Sequence, residues 1–285
     1  MNDPIQIFRG EVFYFKASPL EREDSYCYYP DGALVISEGK IIETAPYHSI
    51  KEKYRDAHLT DYSGKLLMPG LIDSHIHYPQ SEMIGMYGKQ LLDWLNEYTY
   101  PTEEAFASEE YAERVARFFV NELFRNGTTT CMAYATVHKA SVDALFTVAS
   151  EYNMRMLTGK VMMNRNAPQA LMDTEETGYA DSRELIETWH NKGRNLYVVT
   201  PRFSITSTHG QLITAARLHE EFPDTYIQTH LSENKGEIDS TLSLSPECQD
   251  YLEVYERAGL VTDRSVFGHC IHLSDSECRR MAEAG

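Results

Sequence analysis

The feature of this 285-residue chain that most constrains its fold is a series of short apolar segments that alternate with amphipathic ones from Leu66 onwards. Six strands are predicted, at residues 66–73, 128–134, 154–161, 196–200, 226–229 and 265–267. Helices are predicted at residues 108–126, 137–152, 182–192, 211–222 and 251–258, and another begins at the capping box Ser274–Glu277. Such alternation indicates a parallel sheet. It predicts an α/β fold, a (β/α)8 TIM barrel of which about six βα units are present; an open doubly wound sheet is the alternative.

The first 65 residues follow a different pattern. Strand-like runs at residues 5–8, 12–15, 33–37 and 40–43 are separated by turn residues, and Glu38-Gly39 between the last two indicates a hairpin. We therefore expect two domains: a small β-rich domain over residues 1–65, and a barrel domain over residues 66–285.

Four histidines mark the barrel. His75 and His77 are two residues apart at the end of the first predicted strand, so both side chains leave an extended segment on the same side. His230 follows the fifth strand and His269 follows the sixth. Each could singly be a hydrogen-bonded residue at a strand end. Because active sites of βα barrels lie at the carboxyl ends of the strands, the four together predict a site on that rim.

The residue types suggest the chemistry of this site. Three neutral imidazoles suit Zn²⁺ and leave a coordination position for water, whose pKa the metal lowers towards ~7. Glu233, three residues beyond His230, is placed to take a proton from that water and pass it to a ring nitrogen. The alternative for Glu233 is a solvated or helix-capping acid.

Arg202 and Phe203 end the fourth predicted strand. A guanidinium offers fixed donors for an oxo group, and a phenyl ring offers a face for a flat heterocycle. By residue type alone, a surface salt bridge and a core phenylalanine are the alternative. Lys160, at the end of the third strand, is interpreted as a buried or rim ion pair rather than a metal ligand.

Charge and cysteine content narrow the class of protein. A net charge of −17 and a pI near 5.0 argue against nucleic acid and anionic membrane surfaces as partners. No apolar run approaches the roughly 20 residues that span a bilayer, and the N-terminus lacks a signal-peptide pattern. Five cysteines without a C-x-x-C pair indicate a reduced, cytoplasmic protein.

These segments resemble a known family. Residues 69–77, Pro-Gly-Leu-Ile-Asp-Ser-His-Ile-His, are similar to the first-strand motif of the amidohydrolase superfamily. The hairpin at Gly39-Lys40-Ile41 resembles the N-terminal half of that superfamily's small β-sandwich. The resemblance covers the whole chain and is closer to the guanine deaminase branch in four segments: residues 77–80, 201–203 and 230–234, and His269.

The resemblance implies roles for individual residues. One zinc ion per subunit would be held by His75, His77 and His230, together with an aspartate from an eighth strand. Glu233 would be the proton shuttle, and His269 would hydrogen-bond the activated water. The polar edge and ring face of guanine would be held by Gln80, Arg202 and Phe203. The implied reaction is hydrolytic deamination of guanine to xanthine and ammonia in purine catabolism, and the implied assembly is a homodimer.

The sequence departs from that pattern because the eighth-strand aspartate does not occur in it. Two other interpretations therefore stay open: a mononuclear amidohydrolase that acts on another amino- or chloro-heterocycle, and an inactive truncated fragment. We expect residues 1–285 alone to bind zinc weakly and not to deaminate guanine. Robust turnover by that purified fragment would contradict the expectation.

Overall fold

The computed structural model describes residues 5–86 and 90–285. The chain divides into two compact units, Met1–Gly70 and Leu71–Gly285. Each unit has its own sheet and its own buried core. Within the described parts, no helix is both long enough and apolar enough to cross a membrane.

The first unit is a four-stranded sheet. Its elements are β1 (Gln6–Phe15), β2 (Tyr26–Ser37), β3 (Lys40–Pro46), α1 (Tyr47–Lys53) and β4 (His58–Leu67), and the strand order is β3-β2-β1-β4. The predicted hairpin is confirmed: β2 and β3 are antiparallel, and both Glu38 and Gly39 between them have positive φ, at 52° and 72°. α1 and β4 were not predicted from the sequence. β4 is almost entirely exposed and rich in polar residues, so it lacks the apolar alternation of a half-buried strand.

The second unit is a nearly closed barrel of parallel strands. They are β5 (Leu71–His77), β6 (Thr128–Tyr134), β7 (Arg155–Gly159), β9 (Asn195–Pro201), β10 (Tyr226–Leu231) and β11 (Ser265–His269); the two-residue β8 (Val161–Met162) also pairs with β9. The strands adjoin one another in sequence order from β5 to β11. A doubly wound sheet reverses its strand order at a switch point. The predicted incomplete barrel is therefore confirmed, and the doubly wound alternative is wrong.

Helices connect the barrel strands. The longer ones are α4 (Glu109–Arg125), α5 (Lys139–Glu151), α6 (Glu175–Trp189), α7 (His209–Glu221), α8 (Lys235–Leu244), α9 (Tyr251–Arg257) and α10 (Asp275–Ala284). α4 is capped by the Ser108 side chain, which accepts from the Tyr111 amide, and Gly127 follows its end with φ of 83°. The capping box at the start of α10 is also confirmed, since Ser274 and Glu277 cap each other.

Two helical features differ from the prediction. α6 begins at Glu175 rather than at residue 182, because Thr174 and Thr177 form a capping box ahead of the apolar stripe. α8 was not predicted, because its only buried residues are Glu237 and Thr241 and it has no apolar stripe to detect.

A helical segment between β5 and α4 was also missed. It consists of α2 (Leu91–Trp94), a π-helical turn (Leu95–Thr99), α3 (Tyr100–Glu104) and a 3-10 turn (Ala105–Ala107). Four short pieces of differing pitch give no single period that a sequence pattern could reveal. We call residues 91–107 the wall segment, because three of its side chains line the cavity described below.

Candidate metal centre and substrate pocket

Four imidazoles converge at the carboxyl ends of three barrel strands. His75 and His77 are at the end of β5, His230 is in β10, and His269 is the last residue of β11. The Nε2 atoms of His77 and His230 lie 3.0 Å apart. Candidate ligand atoms of His75, His230 and His269 all lie within 4.8 Å of one another. The structure thus brings together the four histidines that the sequence placed on one rim.

A hydrogen bond to the backbone orients the His230 ring. The Nδ1 of His230 donates to the Arg202 carbonyl at 2.8 Å, which leaves its Nε2 free to act as a ligand. The backbone amide of His75 donates to the Asp73 carboxylate at 3.1 Å. The buried Nε2 of His75 has no hydrogen-bond partner among the described residues. An unpartnered buried nitrogen beside three other imidazoles is available to bind a metal ion.

The surroundings keep these rings neutral. Burial and the nearby His269 lower the pKa of His75 from its ordinary 6.5 to about 4. Burial, reinforced by neighbouring imidazoles, also lowers the pKa values of His77 and His230 well below 6.5. Neutral imidazole is the form that binds a metal ion, so these residues are ready ligands at neutral pH.

Tyr134, the last residue of β6, packs against the histidines. Its ring centroid lies 4.5 Å from that of His77, with the rings 16° from parallel, and 4.5 Å from that of His230. The side chain is completely buried. The sequence did not single out Tyr134, although its place at the end of a barrel strand is the signal that could have identified it.

Gly268 provides the space in which the His75 ring lies. A Cβ atom at this position would approach the Cε1 of His75 to 2.4 Å. We expect Gly268→Ala to displace this ring and to weaken the affinity for a metal ion by roughly 10- to 100-fold, the usual effect of disturbing the support of a ligand. Competition with a chromophoric chelator would measure this affinity.

The matched control for that substitution is Gly178→Ala in α6, where an added Cβ meets no atom closer than 3.5 Å. Its metal affinity should equal that of the wild type. Equal affinities in Gly268→Ala and Gly178→Ala would contradict the proposed dependence on the position of the His75 ring.

Glu233 and His269 form a second pair at the rim. The Oε2 of Glu233 lies 3.3 Å from the Nε2 of His269, and about a quarter of each side chain is exposed. Burial raises the pKa of Glu233 above its ordinary value, an effect that the positive charge of Arg202 opposes. Ser232, with φ of 52°, turns the chain just before Glu233. Glu233 does not cap α8, since Asn234 does so, and this excludes the capping alternative.

All the predicted site residues line one cavity of about 230 Å³. Its walls are formed by His75, His77, Gln80, Leu91, Trp94, Leu95, Arg202, Phe203, His230, Glu233 and His269. Gln80 belongs to a 3-10 turn, Tyr78–Met83, that directly follows β5. The cavity is smaller than the roughly 300–1,000 Å³ of pockets for drug-sized ligands, so it suits one small ring system.

The alternative interpretation of Arg202 as part of a surface salt bridge is wrong, because its side chain is buried. Its Nη1 donates to both carboxylate oxygens of Glu103, at 2.8 and 2.7 Å, and both side chains are at most 3% exposed. Phe203 is buried and forms part of the cavity wall. Lys160 is 1% exposed and pairs with Asp173 at 2.5 Å, away from the cavity lining, as the ion-pair interpretation predicts.

The wall segment supplies the site residues that sequence reasoning missed. Leu91, Trp94 and Leu95 line the cavity, and Tyr100 and Glu103 contact Arg202. The spacing of the two leucines and the tryptophan was the available signal for a helical face. Nothing in the local sequence distinguishes Glu103 from its exposed neighbour Glu104.

Comparison with known families now supplies an independent observation. Residues 66–285 match the amidohydrolase family. The chain belongs to the amidohydrolase family. This assigns the barrel, together with its histidine-lined rim, to a family that generally uses a metal ion.

Among individual members of the amidohydrolase family, this chain is similar to guanine deaminases. It is 50% identical over 267 residues to the guanine deaminase of Escherichia coli strain K12, covering 93% of this chain and 61% of that protein. A solved structure of E. coli guanine deaminase superposes with a TM-score of 0.95 at 48% identity, covering 98% of this chain and 66% of that one. The guanine deaminase of C. acetobutylicum, solved with guanine in its active site, gives 0.90 at 29% identity, with coverage of 98% and 66%. The chain thus spans a little under two thirds of these relatives' length.

Proposed function

We propose that this site deaminates guanine hydrolytically to xanthine and ammonia. The observation that carries the proposal is that Gln80, Arg202 and Phe203 line the same small cavity as the histidine cluster and Glu233. Such a cavity combines donors for an oxo group, an aromatic face and hydrolytic groups around one flat ligand. The similarity to guanine deaminases, one of them solved with guanine in its active site, supports this choice of substrate.

The donor set fits a zinc ion. The unpartnered Nε2 of His75 and the free Nε2 of His230, beside that of His77, are the nitrogen ligands that Zn²⁺ prefers. We propose that these three residues hold it. When bound, the ion would supply Lewis-acid activation of water at neutral pH.

The protein's own groups have distinct tasks in the proposed reaction. Arg202 and Gln80 donate to the oxo edge of guanine, and Phe203 packs on its ring face. The water oxygen bonds to C2, and the Glu233 carboxylate accepts the water proton and delivers it to a ring nitrogen. The remaining hydroxyl proton then passes to the amino nitrogen, the bond between C2 and that nitrogen breaks, and ammonia leaves as the 2-oxo group forms. His269, which contacts Glu233, hydrogen-bonds the attacking water.

Guanine turnover by a full-length version that contains these residues, purified and supplied with zinc, tests the proposal. The wild type and all the variants in the experiments are made in that version. We expect a stoichiometric rise in xanthine and ammonia with guanine as substrate, and no reaction with hypoxanthine, which lacks the 2-amino group. Ultraviolet absorbance would follow the conversion, and an ammonia assay would check the balance. Turnover of an amino- or chloro-triazine without turnover of guanine would contradict the proposal. It would favour the alternative, a mononuclear amidohydrolase that acts on another heterocycle.

We further propose a cytoplasmic, homodimeric protein. The cytoplasmic location is supported by five cysteines that are all free thiols. The dimer rests on the family resemblance, and sedimentation velocity of the purified protein would test it; a monomer at micromolar concentration would contradict it.

A further inference from the structure

Arg202 uses one of its edges to contact protein and leaves the other for a ligand. Its Nη1 is held by both oxygens of Glu103. Its Nη2 and Nε make no hydrogen bond to any residue in the described ranges, and the side chain lines the cavity. The guanidinium carbon also lies 5.5 Å from the centre of the Tyr100 ring. Glu103 and Tyr100 of the wall segment thus position Arg202, although about a hundred residues of sequence separate them from it.

The charge of this pair matters as much as its geometry. An unpaired buried guanidinium would attract any anion strongly, because Coulomb interactions are poorly screened away from water. A completely buried carboxylate at 2.7 Å cancels most of that charge. The remaining donors still point in fixed directions, so a neutral carbonyl remains a good partner.

We propose that Glu103 is a positioning residue that makes this site select a neutral oxo-purine over an anionic one. It does so by fixing the orientation of Arg202 and neutralising its charge. The inference rests on the proposed function, because it assumes that a purine occupies the cavity. It goes beyond that function by explaining how a site with an arginine discriminates against acidic purines of the same size.

Binding of two non-reacting purines provides the test. Hypoxanthine is neutral and carries the oxo edge of guanine, whereas urate is a similar ring system that is anionic at neutral pH. Titration calorimetry would give both dissociation constants for the zinc-loaded wild type, Glu103→Gln and the control Glu104→Gln. Glu104 is exposed on the same helix, so its substitution removes an equal charge outside the cavity.

We expect the wild type and Glu104→Gln to prefer hypoxanthine. Glutamine at position 103 keeps one acceptor for the Nη1 of Arg202 but removes the negative charge. The ratio of the two affinities should therefore shift towards urate by at least about tenfold in Glu103→Gln. If Glu103→Gln weakened the binding of hypoxanthine and urate equally, the ratio of the two affinities would be unchanged. Glu103 would then have only a structural role, and the proposal would be overturned.

A second variant covers the case in which Glu103→Gln does not fold. Glu103→Asp keeps the charge and shortens the side chain by one methylene, so it should preserve the preference for hypoxanthine while displacing Arg202. We expect the KM for guanine to rise at least about tenfold with kcat within a factor of about three. A fall in kcat at constant KM would overturn the positioning role.

The outcomes separate the two proposals. A wild type that binds hypoxanthine without turning over guanine would refute the deaminase activity, and the affinity ratio would still decide the role of Glu103. A wild type that turns over guanine, with an unchanged ratio in Glu103→Gln, would refute the role of Glu103 alone. A wild type that binds neither purine would overturn both.

Discussion

Replacing His230 with alanine is expected to abolish tight zinc binding and to lower guanine turnover by at least about a thousandfold. His230 is 7% exposed, and its Nε2 lies 3.0 Å from that of His77 at the centre of the cluster. The substitution removes a proposed zinc ligand, whose ring is oriented by its hydrogen bond to the Arg202 carbonyl. Loss of the water activation that the ion would supply would remove several kcal/mol of transition-state stabilisation, and about 4 kcal/mol corresponds to a thousandfold.

Zinc content after dialysis and the steady-state rate with guanine would be measured together. His209→Ala is the matched control, because His209 is an exposed histidine at the start of α7, outside the cavity lining. The control should keep its zinc and its rate. If His230→Ala retained a stoichiometric zinc ion of wild-type affinity, His230 would not be a ligand.

Replacing Arg202 with alanine is expected to destabilise the protein by about 3–5 kcal/mol and to remove measurable guanine turnover. The substitution leaves the Glu103 carboxylate buried without its partner, and breaking a buried ion pair on one side is more costly than removing both charges. It also removes the donors that are proposed to hold the oxo edge of guanine. The stability effect and the catalytic effect therefore have separate causes.

The double variant Arg202→Ala/Glu103→Gln separates those causes. It removes both charges, so chemical denaturation should show that most of the lost stability returns, while guanine turnover stays absent. Arg217→Ala provides the comparison for an exposed pair: Arg217 contacts Glu221 one helical turn away, and its loss should cost about 0.5 kcal/mol or less. Recovery of turnover in the double variant would exclude Arg202 from substrate binding.

The barrel could be predicted from the sequence because its elements carry local signals. α4 has an apolar stripe between a capping serine and a terminal glycine, and β6 is a buried run whose predicted bounds match the structure. β4 and α8 could not be predicted, since neither buries an apolar face. Hydrophobic periodicity in a sequence arises where one face of an element is buried. Elements that stay exposed, or that bury polar side chains, lack this periodicity and are not detected.

The rim residues could be located from the sequence for a related reason. Parallel strands end at one edge, so knowing that His77, His230 and His269 lie at the carboxyl ends of strands is enough to bring them together. Glu103 could not be located in that way. It reaches Arg202 through a fold-dependent contact, and its own neighbourhood resembles an exposed helix start. Long-range polar partners leave no periodic trace in the local sequence.

The cavity is built from two parts of the chain, the barrel strands and the wall segment, that can be changed independently. The histidines that would hold the metal belong to barrel strands, whereas Leu91, Trp94 and Leu95 come from a stretch of connecting chain. Substitutions at these three positions change the size and shape of the cavity without altering the strands that carry the histidines. A laboratory selection for other heterocyclic amines would therefore do best to randomise these three positions first, because the catalytic constellation is encoded elsewhere.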